Sequence, residues 1–134
     1  MNITRETRLT TAMTDAQKNA IINELIRLTG GTTAGVVTLV TDAGTLNALV
    51  GKITTEALTT AAGAAASLAI TNSEVAAGDV VLVTRNGGTS DEGTPEWNVV
   101  VDDGEFTIVL ENRHAADAFD GTFIFGFQVM KVPA

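Results

Sequence analysis

The chain of 134 residues contains no cysteine, no tyrosine and a single histidine. Without cysteine it can form no disulfide bond, no thiolate zinc site, no iron–sulfur cluster and no cysteine nucleophile. One histidine also limits general acid–base chemistry, which uses that side chain more often than any other. These absences argue against an enzyme, and we expect no catalytic residues and no cofactor.

Basic residues are scarce as well. Eight Lys and Arg stand against 16 Asp and Glu, giving a formal charge of −8 and a sequence pI of about 4.4. Residues 1–29 have a net charge of +1 (four basic, three acidic), whereas residues 30–134 have −9 (four basic, thirteen acidic). Because an acidic body is repelled by phosphate backbones, we expect no nucleic-acid partner.

Long apolar runs are also missing. A membrane span needs about 20 consecutive apolar residues, and the longest candidate, Ala57–Ile70, is interrupted by threonines, a glycine and a serine. The first residues contain no apolar core of a secretory signal. We therefore expect a soluble protein that is made in the cytoplasm and has no membrane partner.

One amphipathic helix is predicted over Asp15–Thr29. Thr14 or Asp15 can cap its N-terminus, and Gly30–Gly31 favours its termination. Its apolar stripe contains five large aliphatic residues, Ile21, Ile22, Leu25, Ile26 and Leu28.

After Gly31 the hydrophobic period changes to two, which is typical of strands. Seven short segments rich in β-branched and aromatic residues are bounded by turn residues. They are Val36–Thr41, Leu46–Thr54, Ala66–Asn72, Asp79–Thr84, Glu96–Asp102, Glu105–Asn112 and Thr122–Val132. Seven such strands without alternating helices predict a mainly β fold, an antiparallel sandwich or barrel. Of these we expect an antiparallel, jelly-roll-like β-sandwich preceded by one α-helix.

The predicted organisation is one domain in three segments. Residues 1–13 form an extended arm, residues 14–30 the helix and residues 31–134 the sandwich. Asp102-Asp103-Gly104 predicts a tight hairpin, because glycine accepts the positive φ of such turns. The alternating faces predict a core that contains Val81, Val83, Val99, Phe106, Ile108, Leu110, Phe123, Phe125 and Phe127.

Candidate chemical motifs are incomplete. Gly51-Lys52 lacks the first glycine and the final Ser or Thr of a phosphate-binding loop. His114, Asp117 and Asp120 have no second histidine to complete a transition-metal site, so we interpret them as a polar connection. The carboxylates of Asp102, Asp103 and Glu105 are too few for calcium, which takes six to eight oxygens.

Trp97 is a candidate stacking platform for a sugar or a base. It also alternates with Val99 and Val101, and this pattern favours a place on the inner face of the sandwich.

Four segments resemble a group of small bacteriophage and prophage proteins. They are Ile-Thr-Asn-Ser at Ile70–Ser73, Asp-Val-Val-x-Val at Asp79–Val83, a glycine-led Phe-x-Ile-x-Leu-x-Asn at Gly104–Asn112 and Phe-x-Val-x-Lys at Phe127–Lys131. The resemblance covers the chain from about Gly35 to its end.

The resemblance implies a non-enzymatic virion structural protein that reinforces the capsid exterior as a cement or decoration protein, with the major capsid protein as its partner. Some similar proteins look like tail-fibre or appendage modules. In that alternative, Trp97 and the Asn86–Pro95 loop would contact a receptor or glycan. A small β-barrel enzyme with a carboxylate site is a third hypothesis.

Two sets of residues are candidate contacts. Arg5 and Arg8 lie in an N-terminal arm with too few apolar residues to fold alone, and arginine can bind carboxylates of a capsid through two hydrogen bonds. Ile21, Ile22, Leu25 and Ile26 form a stripe broad enough to predict a homo-oligomer, a trimer or a dimer.

Overall fold

The computed structural model describes residues 14–28 and 34–133. The chain divides into two compact units, Met1–Thr32 and Thr33–Ala134. The first contains the helix α1 (Asp15–Leu28), and the second contains the strands.

Helix α1 begins with a reciprocal cap. Thr14 Oγ1 accepts from the Gln17 backbone N–H at 3.2 Å, and Gln17 Oε1 accepts from the Thr14 N–H at 2.9 Å. Thr14 is thus the cap, and the predicted helix is confirmed as far as Leu28. Among the described residues, no helix is long and apolar enough to cross a membrane.

The second unit is built from short strands. They are β1 (Ala34–Thr38), β2 (Ala43–Thr45), β3 (Val50–Thr54), β4 (Leu58–Thr60), β5 (Ala65–Thr71), β6 (Val80–Gly87), β7 (Pro95–Asp102), β8 (Glu105–Asn112), β9 (Phe119–Gly121) and β10 (Ile124–Met130). Each of the seven predicted segments overlaps one of these strands, although the bounds of several differ, so the mainly β class is confirmed.

The strands form several sheets. Sheet A has the order β1-β3-β10-β6, sheet B the order β2-β5-β8-β7, and β4 pairs with β9 in a small third sheet. Most pairs are antiparallel, but β1 runs parallel to β3 and β2 parallel to β5. The predicted hairpin joins β7 to β8, with Gly104 at φ 77°.

Three strands are shorter than their predicted segments. One is β10, which covers Ile124–Met130 of the predicted Thr122–Val132, and local contacts limit the other two, β1 and β3. Strand β1 ends at Thr38 because the chain reverses at Thr41 and Asp42, which have φ of 53° and 60°. Val40 and Ala43 exchange backbone hydrogen bonds of 2.9 and 3.2 Å across this turn. Strand β3 begins only at Val50. The residues before it are bound to Asn72 instead, whose Nδ2 donates to the Ala48 carbonyl at 2.7 Å.

Inward side chains of sheets A and B meet in one core. Phe127 of β10 packs against Phe106 of β8 with ring centroids 5.1 Å apart. Phe125 packs against Trp97 of β7 at 5.6 Å. Such aromatic pairs contribute about 0.5–1.5 kcal/mol beyond the area they bury. Seven of the nine predicted core residues are buried, and Val83 and Val99 are partly buried against them.

The end of β10 is attached to the turn before β6 by a buried carboxylate. Asp79 is 8% exposed. Its Oδ2 accepts from Lys131 Nζ at 2.5 Å and from the Ala76 N–H at 2.9 Å, and its Oδ1 accepts from the Val132 N–H at 3.1 Å. The hydrogen bond from Lys131, above all, lowers the pKa of the Asp79 carboxyl.

We expect Asp79→Asn to lower the free energy of unfolding by about 1–3 kcal/mol at pH 7, since it removes a charged acceptor of buried hydrogen bonds. The folded protein has the lower pKa, so the ionised carboxylate stabilises the fold above the ordinary aspartate pKa of about 3.9. This contribution is lost as the pH falls through the lowered value.

Urea unfolding at pH 7 and pH 3 measures this effect. The difference between wild type and Asp79→Asn should shrink at pH 3, while Asp91→Asn, in the exposed loop before β7, should change little at either pH. If Asp79→Asn lowers the free energy of unfolding by the same amount at both pH values, the charge of the carboxylate does not stabilise the fold.

Candidate interaction surface

The outer face of sheet A combines large exposed apolar side chains with neutral polar side chains and one lysine. Its outward residues include four large side chains that are 40–71% exposed: Val36, Val80, Leu82 and Met130. They lie on β1, β6 and β10, and their neighbours along each strand point into the core. Fully burying one such side chain is worth about 1.5–3 kcal/mol, so this face offers substantial binding energy to a partner.

The same face is free of acidic residues. None of the chain's 16 Asp and Glu lies on β1, β3, β6 or β10, although the chain as a whole is strongly acidic. The strands of sheet B, by contrast, contain Glu96, Asp102, Glu105 and Glu111. The strands of the two sheets therefore differ in charge: those of sheet A carry no acidic residue, and those of sheet B carry four.

A groove of about 590 Å³ crosses the outer face of sheet A. The strand register places Val36, Lys52, Gly126 and Thr84 side by side across the four strands. Gly126 has no side chain, so the row is depressed between Lys52 and Thr84. The next row across the sheet contains Val50, with Ala34, Gln128 and Leu82 beside it.

Lys52 is the charged residue of this groove. It is exposed, and within residues 14–28 and 34–133 no carboxylate forms an ion pair with it. Lys131 and Arg113, in contrast, are both paired with carboxylates. The groove thus combines apolar walls with one available cation.

The outer face of sheet B has a polar network. Arg113 contacts Glu96 through Nε at 2.7 Å and Glu111 through Nη2 at 2.7 Å. All three side chains are at least one-third exposed, and exposed pairs of this kind contribute little to stability. Among the large apolar side chains of the strands of sheet B, Val100 is exposed, whereas four such side chains are exposed on sheet A.

The predicted contact residues are only partly described. Arg5 and Arg8, and the side chains of Leu25 and Ile26, lie outside the described part of the chain. Ile21 and Ile22 are 47% and 52% exposed on α1. The contact role of the stripe and that of the arm both remain predictions.

Trp97 points into the core, as its alternation predicted. Its Nε1–H donates to the Val83 carbonyl of β6 at 3.2 Å, and its ring meets Phe125 at an interplanar angle of 63°. The indole therefore links the two sheets, and the ring is partly buried by this contact.

The Asn86–Pro95 segment is partly strand, since β6 extends to Gly87. Hydrogen bonds connect the rest of the segment to neighbouring strands and loops. Arg85 Nη2 donates to the Ser90 carbonyl at 2.7 Å, and the Thr89 and Thr122 hydroxyls lie 3.1 Å apart. Of the buried side-chain polar atoms in the described ranges, Ser90 Oγ alone has no hydrogen-bond partner.

The candidate metal ligands accept hydrogen bonds from other parts of the protein. His114 Nδ1 accepts from the Ala116 and Asp117 N–H groups at 3.2 and 2.8 Å, while Asp120 accepts from Thr59 at 2.9 Å. At the β7–β8 hairpin, Asp103 accepts from the Ala77 N–H at 2.7 Å. Over the described residues, no group of three or more His, Asp and Glu is arranged to hold a metal ion.

Comparison with protein-family models, with curated proteins and with solved structures returned no match. The assignment of a surface therefore depends on the geometry of this chain.

Sequence reasoning did not identify the outer face of sheet A. The available signal was the absence of Asp and Glu from four of the strand segments, whose residues are distant in the chain. Only the pairing of β1, β3, β10 and β6 shows that these segments are neighbours. Lys52 was considered only as part of an incomplete phosphate loop.

Because the chain has a single tryptophan, its fluorescence tests the position of Trp97. We expect weak quenching by acrylamide, a neutral quencher that the acidic protein does not repel. A matched variant combines Trp97→Phe with Val100→Trp, since Val100 lies on the outward face of β7 and is 52% exposed. Acrylamide should quench the fluorescence of that variant severalfold more strongly than that of wild type. Equal quenching of the two proteins would contradict the inward orientation of Trp97.

Proposed function

We propose that the chain is a non-enzymatic virion structural protein of a bacteriophage or prophage, a cement or decoration protein on the capsid exterior. Its partner is the major capsid protein, and it acts as a homo-oligomer, a trimer or a dimer. The observation that carries this proposal is the acid-free outer face of sheet A, with its large exposed apolar side chains, on an otherwise acidic body.

The fold we infer is a jelly-roll-like β-sandwich. Two four-stranded sheets whose aromatic side chains meet in a common core support the two layers. Successive strands β1, β2 and β3 alternate between the sheets, as in jelly rolls. The parallel pairs β1–β3 and β2–β5 depart from the all-antiparallel arrangement and lie at one edge of each sheet.

Buried polar groups support a structural role. Asn112 donates to the Thr60 and Asp117 carbonyls and accepts from the Thr94 N–H. Asn72 similarly binds both backbone groups of Ala48. These side chains satisfy the backbone of loops, which is a stabilising task, and a rigid body suits a protein that reinforces a lattice.

The tail-appendage alternative is less well supported by the geometry. It assigned receptor or glycan contact to Trp97 and the Asn86–Pro95 segment. Trp97 is committed to the core through Val83 and Phe125.

Copy number in purified particles tests the proposal. We expect quantitative mass spectrometry of virions from the encoding phage to find the chain in an amount of the same order as the major capsid protein. A few copies per particle would favour the appendage alternative, and absence from particles would contradict a virion role altogether.

A further inference from the structure

We propose that the groove over Gly126 binds a protruding apolar segment of the capsid protein that carries a carboxylate, and that this carboxylate pairs with Lys52. The inference deepens the proposed function and rests on it. Three properties of the outer face of sheet A carry the argument: its shape, its charge and its lack of complementarity to a second copy.

The shape of the groove follows from a glycine that the backbone does not require. Gly126 lies within β10 and is not among the residues with positive φ, so another residue could adopt its conformation. A Cβ atom built there would lie 2.5 Å from Asn86 Nδ2, the end of a flexible side chain. Glycine at this position therefore leaves room for the Asn86 amide, and Gly126 and Asn86 both line the groove.

The width of the depression limits what can enter. Two strand spacings separate the backbones of β3 and β6, about 9.5 Å. A whole helix is about 10–12 Å across with its side chains, so the space between Lys52 and Thr84 fits a ridge of side chains or one extended segment. Val36 and Leu82, at 71% and 50% exposure, provide apolar area on either side.

The charge of the groove selects an anion. Residues 30–134 carry a net charge of −9, yet no acidic residue lies on the four strands of sheet A. This face therefore repels an acidic partner less than the rest of the surface does. Lys52 can pair with a carboxylate of that partner, because it has no carboxylate partner among the described residues. Removal of water on binding strengthens such a pair.

A second copy fits this face less well. In a twofold dimer through the outer face of sheet A, each groove would oppose the other groove. Two depressions would leave a void, which close-packed interfaces avoid. The same symmetry would bring two Lys52 residues to one interface without a carboxylate from either sheet.

The first experiment uses 8-anilinonaphthalene-1-sulfonate, an apolar anion, as a probe of the groove chemistry. We expect its fluorescence to rise with wild-type protein, and Gly126→Val to weaken its affinity at least about tenfold, a loss of about 1.4 kcal/mol. Lys52→Gln should weaken it up to about fivefold and reduce its salt dependence.

Each variant has a matched control outside the groove. Gly87→Val adds the same atoms to sheet A, where a Cβ would meet only Ile124 at 3.9 Å. Asn98→Asp changes the net charge by the same amount as Lys52→Gln, on the outward face of β7. Both controls should bind the dye as wild type does. If wild type does not bind the dye, or if Gly126→Val and Gly87→Val bind it equally well, the groove does not bind apolar anions and the proposal is wrong.

The second experiment measures binding to particles of the encoding phage that lack this protein. Wild type and Gly87→Val should co-sediment with them, and Gly126→Val should lose at least about tenfold in affinity. A second pair of variants leaves the glycines unchanged, in case the glycine variants misfold. Leu82→Ser should weaken binding to the particles, whereas Val100→Ser should not. The two residues are matched in exposure, at 50% for Leu82 and 52% for Val100.

The outcomes separate the two proposals. If wild type binds particles and Gly126→Val binds equally well, the groove is not the contact and the proposed function stands. If wild type does not bind particles, the proposed function and the named partner both fail, while dye binding still reports on the groove. If light scattering shows that wild type is oligomeric and Gly126→Val alone is monomeric, a second copy fills the groove and the capsid segment does not.

Discussion

The packing of the inward side chains of β10, a central strand of sheet A, against sheet B determines the rest of the structure. Phe123, Phe125 and Phe127 point inward, and two of them meet aromatic rings of sheet B. Because side chains alternate along a strand, this packing also fixes which residues of β10 face outward, Gly126 among them. A shift of one residue would expose three phenylalanines and bury Gln128, so the core specifies the register strongly. The groove is thus a consequence of the same alternation that builds the core.

The distribution of charge gives the outer faces different properties. Acidic residues on sheet B keep that face hydrated, and the pairing of Arg113 with Glu96 and Glu111 adds order at little gain in stability. Sheet A exposes Val36, Leu82 and Met130 without acidic neighbours on its strands. Several large exposed apolar side chains on one face favour a protein interaction site. A protein that must attach by one face and remain soluble on the other has this arrangement.

Local patterns predicted the elements but not their partners. The cap at Thr14 and the alternation of Phe106, Ile108 and Leu110 are visible in the sequence because they depend on neighbouring residues. The three-residue strands β2, β4 and β9 were missed because they are too short to show alternation. The Thr41–Asp42 reversal was missed because its positive φ values are usually supplied by asparagine or glycine. The pairing of Asp79 with Lys131 joins residues 52 positions apart, which no local pattern encodes. The same limit hid the surface of sheet A, whose strands come from four separate parts of the chain.

Hydroxyl-radical footprinting of the particle-bound protein tests most directly whether the outer face of sheet A is the attachment surface. Leu82 and Met130 are 50% and 43% exposed on that face, and Val100 is 52% exposed on the opposite one. If sheet A contacts the capsid, oxidation of Leu82 and Met130 falls several-fold on binding while oxidation of Val100 stays at its level in the free protein. Protection of Val100 with unchanged oxidation of Leu82 and Met130 would contradict attachment through sheet A.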